Sequence, residues 1–387
     1  FTIEIDQVDS NQIQSCWEKL CKTNPILISK IDTNKIISNN SKNDPINFTE
    51  QIDDLIKAQK QSACQTLNAY ALQDFVKLNN EKDIENDVCK LYFSNYLQKT
   101  QLCLATNHSI FDFISIVLVI NSFIDLLVGK PITSIPVDSP TNHQNYWDSI
   151  VTEQPKVEVD YKNPQFQYKK QNPEMIKTTD QRYISQKTFS QLLQKLKQNQ
   201  ISLQSFMFCM DLHCRNKLMP LKEDKVMVNT PVDFRRQVRG DTNCIGLFVD
   251  PLYFHVLISD MQDKVLFMQN LNKIIKERID MNHNCYQDFK YNIHRNNKLV
   301  MAFPTIFACS MGKTIQISNE IKIYEAALQS GYKFQKQATI DDDISFGLHA
   351  FELQGQLVLN YQRSANMDNS QVNQIMDEMV KFINEWV

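Results

Sequence analysis

The segment QLCLAT (residues 101–106) runs directly into Asn107-His108-Ser109-Ile110-Phe111-Asp112-Phe113, and a long apolar run, 110–128, follows. The first piece alternates as a strand and the last reads as a helix. His108 therefore stands at the exit of a strand, with a carboxylate four residues on in the first turn of a helix. A strand end fixes an imidazole, and a carboxylate at that spacing can brace the turn that carries it. Histidine titrates at about 6.5 when unperturbed, so it can take a proton from a hydroxyl or an amine at cellular pH. The competing reading is a satisfied core histidine beside a buried helix, the commoner fate of a lone His in such a place.

Working outward, 87–96 and 100–106 read as an antiparallel pair turning around Gln98-Lys99, the second strand delivering His108. Residues 2–5 alternate as a short strand. Asp9-Ser10 then caps a helix over 11–22, with Ile13, Trp17 and Leu20 on one face and Cys16 beside them. Pro25 ends that helix, and 26–31 reads as a buried strand. A polar loop (39–44) and a helical region opening at Thr49-Glu50-Gln51-Ile52 fill the interval.

Downstream, Gly129-Lys130-Pro131 opens a stretch to about residue 175 that is rich in Pro, Asn and Gln and has no sustained period. It reads as a linker, 131–175, between an N-terminal lobe, 1–130, and a C-terminal lobe, 176–387. The second lobe opens with a strand (182–186), Thr188-Phe189-Ser190 and an amphipathic helix (192–199). Ser202 begins a largely apolar, hence buried, helix over 203–218. Strands follow at 226–232, 247–254, 299–309 and 321–327, with a charged-faced helix at 269–279. A strand pair, 344–353 and 356–361, joins at Gln354-Gly355. The closing helix, 370–386, buries Val372, Ile375, Met376, Met379, Phe382 and Ile383. Strands and helices recur through both halves without strict βαβ alternation, which is an α/β chain of the α+β kind. The halves rhyme as strand, helix, strand, long helix.

Composition narrows the function classes. With 42% hydrophobic and 22% charged residues the 387-residue chain is ordinary globular protein, long enough for two lobes. A net charge of -3 leaves no basic footprint for nucleic acid. Seven glycines supply no phosphate loop: Met311-Gly312-Lys313-Thr314 has only the tail of such a motif. The ten cysteines include Cys16/Cys21 and Cys209/Cys214, five apart, and no CxxC. They read as free buried thiols of an intracellular, reducing compartment, cytoplasm or mitochondrion, and no metal is expected. The most apolar segment, 113–124, is short and flanked by Asp112 and Asp125, so no transmembrane segment is expected.

The order of these pieces resembles the chloramphenicol-acetyltransferase-like superfamily of HxxxD acyltransferases, which includes condensation domains, alcohol acetyltransferases and wax ester synthases. Trp17-Glu18-Lys19-Leu20 through Asn24-Pro25-Ile26-Leu27 is similar to the family's opening helix and turn. Asn107 to Asp112 resembles HHxxxD with His108 in the second, catalytic position, and Ile201-Ser202-Leu203 resembles the segment opening the second lobe. Asn229-Thr230-Pro231-Val232-Asp233-Phe234-Arg235-Arg236 is similar to the "PVDLR" segment, and Ser310-Met311-Gly312 to the "SN-G" turn on a crossover strand. Residues 353–361 and the closing helix resemble the final hairpin and helix, so the likeness covers nearly the whole chain.

The resemblance implies two similar sandwich lobes of mixed sheet and helices with a tunnel at their interface. It implies an acyl group moving from coenzyme A, or a carrier-bound thioester, to a small alcohol or amine. His108 is then the general base, and Ser310 a donor to the oxyanion that develops. It also implies that Asp112 is structural, paired with Arg235, its carboxylate pointing away from substrate. Acyl-coenzyme A is expected as co-substrate, with no tightly bound cofactor. The departures are Asn107 for the first His, Phe113 for the glycine that often follows Asp, and Met311 for the Asn of S-N-G. Phe113 and Met311 would narrow the tunnel. The alternative is therefore a degenerate member serving as scaffold or subunit of a larger assembly.

Other candidates carry bland readings beside sharp ones. Arg235, Arg236 and Arg239 either contact coenzyme A phosphates or form one ion pair and a solvated face. His213 and Cys214, near Cys209, read as core rather than ligands. His143, His255, His283, His294 and His349 are scattered, and Asp341-Asp342-Asp343 reads as an acidic turn before a strand.

Overall fold

A computed structural model of the chain describes residues 1–32, 35–37, 46–47, 87–108, 110–137, 177–221, 224–235, 243–280, 306–312, 319–328, 347–364 and 369–387. The expected loop at 39–44, the helical region after Thr49, most of the linker, and the 299–305 part of one strand lie outside these residues. Two compact units emerge. The first comprises Phe1–Gln144, Arg235–Phe248 and Ile315–Leu328; the second comprises Asn145–Phe234, Val249–Thr314 and Gln329–Val387. The two excursions of later chain into the first unit are no part of the sequence reading.

In the first unit, β1 (Thr2–Asp6) leads to helix α1 (Ser10–Thr23). The Asp9 carboxylate accepts from the Asn11 amide at 2.8 Å and caps the helix, as the Asp-Ser signal predicts. Ile13, Trp17, Leu20 and Cys21 recur at helical spacing and are buried, with Trp17 edge-on to Phe123, ring centroids 6.1 Å apart. The expected strand at 26–31 is a correction: Pro25–Ile28 is a 3-10 turn, and only Lys30–Asp32 (β2) extends, pairing with β3 (Lys35–Ile37). Pro25, preset for a helical φ, starts the turn, and Leu27 N–H donates to Asn24 O at 3.0 Å.

Strands β4 (Ile46–Asn47), β5 (Cys89–Tyr96) and β6 (Lys99–Thr106) and, from the late excursion, β11 (Ile323–Ala327) complete a sheet of order β11-β1-β6-β5-β4. The β5–β6 hairpin turns on Leu97 (φ 49) and Gln98 (φ 61), one residue before the expected position. Both central residues are left-handed, the two-residue turn that matches strand twist, here made without glycine. Helix α2 is Phe113–Leu127, shorter than the apolar run 110–128, because Asp112 caps it and Ile110 and Phe111 are held in the preceding turn. Gly129 (φ 79) and the Lys130 N–H to Asp125 O bond close its other end. The first residues of the expected linker are docked on this unit: Ile135 N–H donates to Asn24 Oδ1 at 2.7 Å, and Ile245 N–H to Pro136 O at 2.8 Å.

The second unit starts with β7 (Lys177–Ile184) and helix α3 (Gln186–Gln198), capped by Ser185, whose Oγ accepts from the Thr188 amide. The helix begins earlier than expected because Ser185 rather than a later residue supplies the cap, and the strand begins earlier because its pairing with β13 starts at Lys177. Helix α4 (Leu203–Leu218) is capped by Ser202, with Ser205 through Leu212 all buried. Strands β8 (Lys225–Asp233) and β9 (Val249–Leu257), helix α5 (Lys264–Asp280) and strand β10 (Ile306–Gly312) follow. The chain ends with β12 (Gly347–Leu353), β13 (Gln356–Ser364) and α6 (Asn369–Trp386). The sheet order is β7-β13-β12-β10-β8-β9, mixed because β10 runs parallel to β12 and β8. All six expected apolar residues of α6 are buried.

The coarse rhyme between the halves has a structural basis. In each unit a strand followed by a helix (β1–α1, β7–α3) pairs antiparallel with the second strand of a hairpin (β5–β6, β12–β13). In each the hairpin runs on to an amphipathic or apolar helix (α2, α6), and each hairpin turns on two residues of positive φ. The fold is mixed α/β, with two similar lobes.

Candidate active site

The turn that leaves β6 is pinned at both ends. Asn107 N–H donates to Val88 O at 2.9 Å, and Asn107 O accepts from Ile110 N–H (3.1 Å) and Phe111 N–H (3.0 Å). Ile110 and Phe111 are buried, while His108, between the pins, is exposed. An exposed imidazole beside an anchored strand exit can exchange a proton with a ligand.

Asp112, 1% exposed, is engaged elsewhere. Its Oδ1 accepts from Ser115 N–H at 2.9 Å, Ser115 Oγ–H at 2.9 Å and Arg235 Nη2 at 2.5 Å; its Oδ2 accepts from Phe248 N–H at 3.1 Å. The structure thus brings together Asp112 and Arg235, which lie 123 residues apart. Arg235 is fully buried, donates from Nε to Cys244 O at 3.3 Å, and lies over the Phe248 ring, 4.8 Å from its centroid. A charge this buried requires a partner and hydrogen bonds for its remaining protons. Both ends of the Arg235–Phe248 excursion are therefore fastened to one carboxylate, the first by a side chain and the last by a backbone amide.

Sequence reasoning missed two members of this network. Ser115 Oγ lies 3.0 Å from each of Gly246 N, Gly246 O and Arg235 Nη2, so one hydroxyl ties helix α2 to the excursion. Its signal was the Asp-x-x-Ser spacing of a helix start, Asp112 at the cap and Ser115 three residues on. Gly246 carries no side chain for a local reason: a Cβ there would come within 2.3 Å of the Phe248 ring.

Phe113, expected to narrow a tunnel, turns its ring edge-on to Phe1, centroids 5.4 Å apart, and is half-buried. Ser310 belongs to the second unit. The expected Ser-Met-Gly turn is instead the end of strand β10, where Ser310 stands opposite Ala350 and a bulge precedes Gly312. A bulge absorbs one extra residue without ending the ladder. Arg236 and Arg239, His143, His283 and His294, and Asp341 to Asp343 lie outside the described residues. His255 and His349 sit on β9 and β12, each half-buried. His213, on α4, packs against Phe382 with ring centroids 5.3 Å apart, and burial lowers its pKa.

Cys209 and Cys214 are buried thiols; burial pushes Cys209 up to about 12 and raises Cys214 as well. Such thiols are neutral and unreactive. Beside them lies a second buried ion pair that the sequence reading did not single out. Arg215 donates from Nε and Nη2 to the two oxygens of Asp211, both at 2.7 Å, and neither residue is exposed. Its signal was an Asp and an Arg four apart inside a buried helix. Among the described residues no helix is long and apolar enough to cross a membrane, and no cluster of three or more His, Cys, Asp or Glu could hold a metal ion.

No protein-family model matches the sequence, and no curated protein matches it. Solved structures do. The EpoB NRPS cyclization-docking bidomain from Sorangium cellulosum superposes with a TM-score of 0.69 at 12% identity, over all of this chain and 79% of that one. The epimerization domain from the third module of tyrocidine synthetase B gives 0.65 at 11%, over all of this chain and 91% of that one. The first condensation domain of the CDA synthetase gives 0.62 at 8%, over all of this chain and 89% of that one. The chain has the fold of the condensation, cyclization and epimerization domains, the chloramphenicol-acetyltransferase-like fold.

Proposed function

We propose that the protein transfers an acyl group from a thioester to an amine or hydroxyl acceptor, with His108 as general base. One observation carries this reading: His108 is exposed next to Asn107, whose backbone is bonded to Val88, Ile110 and Phe111, while Asp112 is committed to Arg235, Ser115 and Phe248. The imidazole takes the acceptor's proton as its nitrogen or oxygen bonds to the thioester carbonyl carbon. The carbon–sulfur bond then breaks, and the departing thiolate takes the proton back from the imidazolium. Coenzyme A and a carrier-protein arm both present such a thioester. The likeness to domains of peptide synthetases supports the carrier-bound donor. Phe113 sets its ring edge-on to Phe1.

A second reading, a structural subunit of a larger assembly, draws support from β10: Ser310 stands in a ladder opposite a buried alanine, where the first reading calls for an oxyanion donor in a turn. Incubating the chain with acetyl-coenzyme A and with acyl-loaded carrier protein, against a panel of amines and alcohols, separates the two. The enzyme reading expects acylated acceptor by mass spectrometry, lost in His108→Ala with an unchanged melt. Product formation undiminished in His108→Ala removes that mechanism, and no product from any pair leaves the assembly reading standing.

A further inference from the structure

The hydroxyl that meets the start of α2 has no bonding capacity to spare. Ser115 Oγ lies 2.9 Å from Asp112 Oδ1 and 3.0 Å from each of Gly246 N, Gly246 O and Arg235 Nη2. A hydroxyl has one proton and two lone pairs. The Gly246 amide and the guanidinium can only donate, so together they fill both lone pairs. The single proton is left for Asp112 Oδ1 or Gly246 O. The carboxylate is the stronger acceptor, and Gly246 O has another donor in Arg235 Nη2 at 3.3 Å. Ser115, 0% exposed, is thus saturated, and Gly246 meets it with both of its backbone groups.

The carboxylate that takes this proton stands at the downstream end of the His108 turn. Ile110 and Phe111 donate to Asn107 O, and Asp112 follows directly in the chain. Its other oxygen accepts from Phe248 N–H at 3.1 Å, and the Phe248 ring lies 4.8 Å from the Arg235 guanidinium carbon. A Cβ on Gly246 would come within 2.3 Å of that ring. The ring is 1% exposed and has little room to yield, and a shift of the Gly246 backbone would instead disturb its two bonds to Ser115. A side chain at 246 therefore reaches Asp112 by either route.

We propose that Ser115 and Gly246 are positioning residues for His108: through Asp112 they set where the turn holds the imidazole during transfer, an inference that rests on the transfer reading above. The test compares the 387-residue parent with Ser115→Ala and Gly246→Ala at equal folded fraction by circular dichroism. Hydrogen exchange should find the Ile110 and Phe111 amides protected in the parent and roughly tenfold faster or more in both variants. The Ile13 amide, bonded to Asp9 O in α1, should be unchanged. Transfer is followed from acetyl-coenzyme A or acyl-loaded carrier protein, whichever the parent uses. Its kcat should fall by roughly tenfold or more, with KM for both substrates held within about twofold. Unprotected Ile110 and Phe111 amides in the parent, unchanged exchange there in either variant, or equal acceleration at Ile13 overturns the inference alone. An unchanged kcat, or a loss carried by KM, does the same. A parent that makes no product from any pair removes the transfer reading, and the inference with it.

Discussion

Replacing Asp112 with alanine removes the acceptor for Ser115 N–H, Ser115 Oγ–H, Arg235 Nη2 and Phe248 N–H together. The largest consequence falls on Arg235, which is 0% exposed and loses its only carboxylate among the described residues. Stranding a buried charge costs roughly 3–5 kcal/mol, with loss of a helix cap worth about 1 kcal/mol partly overlapping it. A total near 4 kcal/mol is a large share of the ~5–15 kcal/mol that holds a domain folded. Arg235→Met in the same background should recover part of that loss, because the pair is then removed whole. The double-mutant cycle should show coupling of about 2 kcal/mol or more. Two units need not melt in one step, so the assay is urea titration read by hydrogen exchange of α2 and β6 amides. An unshifted first-unit transition, or additive effects of the two substitutions, would refute the reasoning.

Three further outcomes follow from particular residues. Gln98→Gly should stabilise the chain by about 1 kcal/mol in thermal or urea melts, because Gln98 holds a left-handed φ of 61 that Gly355 serves in the other hairpin; a lowered midpoint would contradict it. Ser94→Ala should raise stability by about 1 kcal/mol, since it removes a buried hydroxyl that has no partner among the described residues, and a destabilised variant would reveal a bond the hydroxyl makes. Burial pushes the Asp211 carboxyl up to about 6 against the pull of Arg215. The folded chain then keeps a proton that the unfolded chain releases near pH 4, so this group's contribution to stability falls as pH rises from about 4 to about 6. Asp211→Asn should flatten that slope in melts between pH 4 and 7, and an unchanged slope would count against it.

The parts of the fold that were legible in the sequence are those set within a few residues. Asp9 before α1 and Ser202 before α4 are caps whose side chains reach amides two or three residues away. The inner face of α6 shows because helical spacing repeats locally. The strand run at 26–31 misled for a matching reason. An apolar run short enough for a strand also fits a buried turn, and the Asn24 and Ser29 bonds that close the turn left no pattern. Asp112 and Arg235 were legible as a pair only through the family resemblance, since 123 residues of chain separate them.

By itself, then, the sequence determined where chain direction and burial change: the helix caps, the amphipathic faces, the hairpins and the strand exit that carries His108. Each rests on contacts between near neighbours, whose geometry the chain imposes. Tertiary structure alone decided which distant pieces meet. It placed Arg235–Phe248 and Ile315–Leu328 in the first unit, put Ser115 against Gly246, and set Glu325 opposite Glu4. Period-2 alternation states which face a residue takes but not which strand lies beside it, and that choice belongs to the packing of the whole unit.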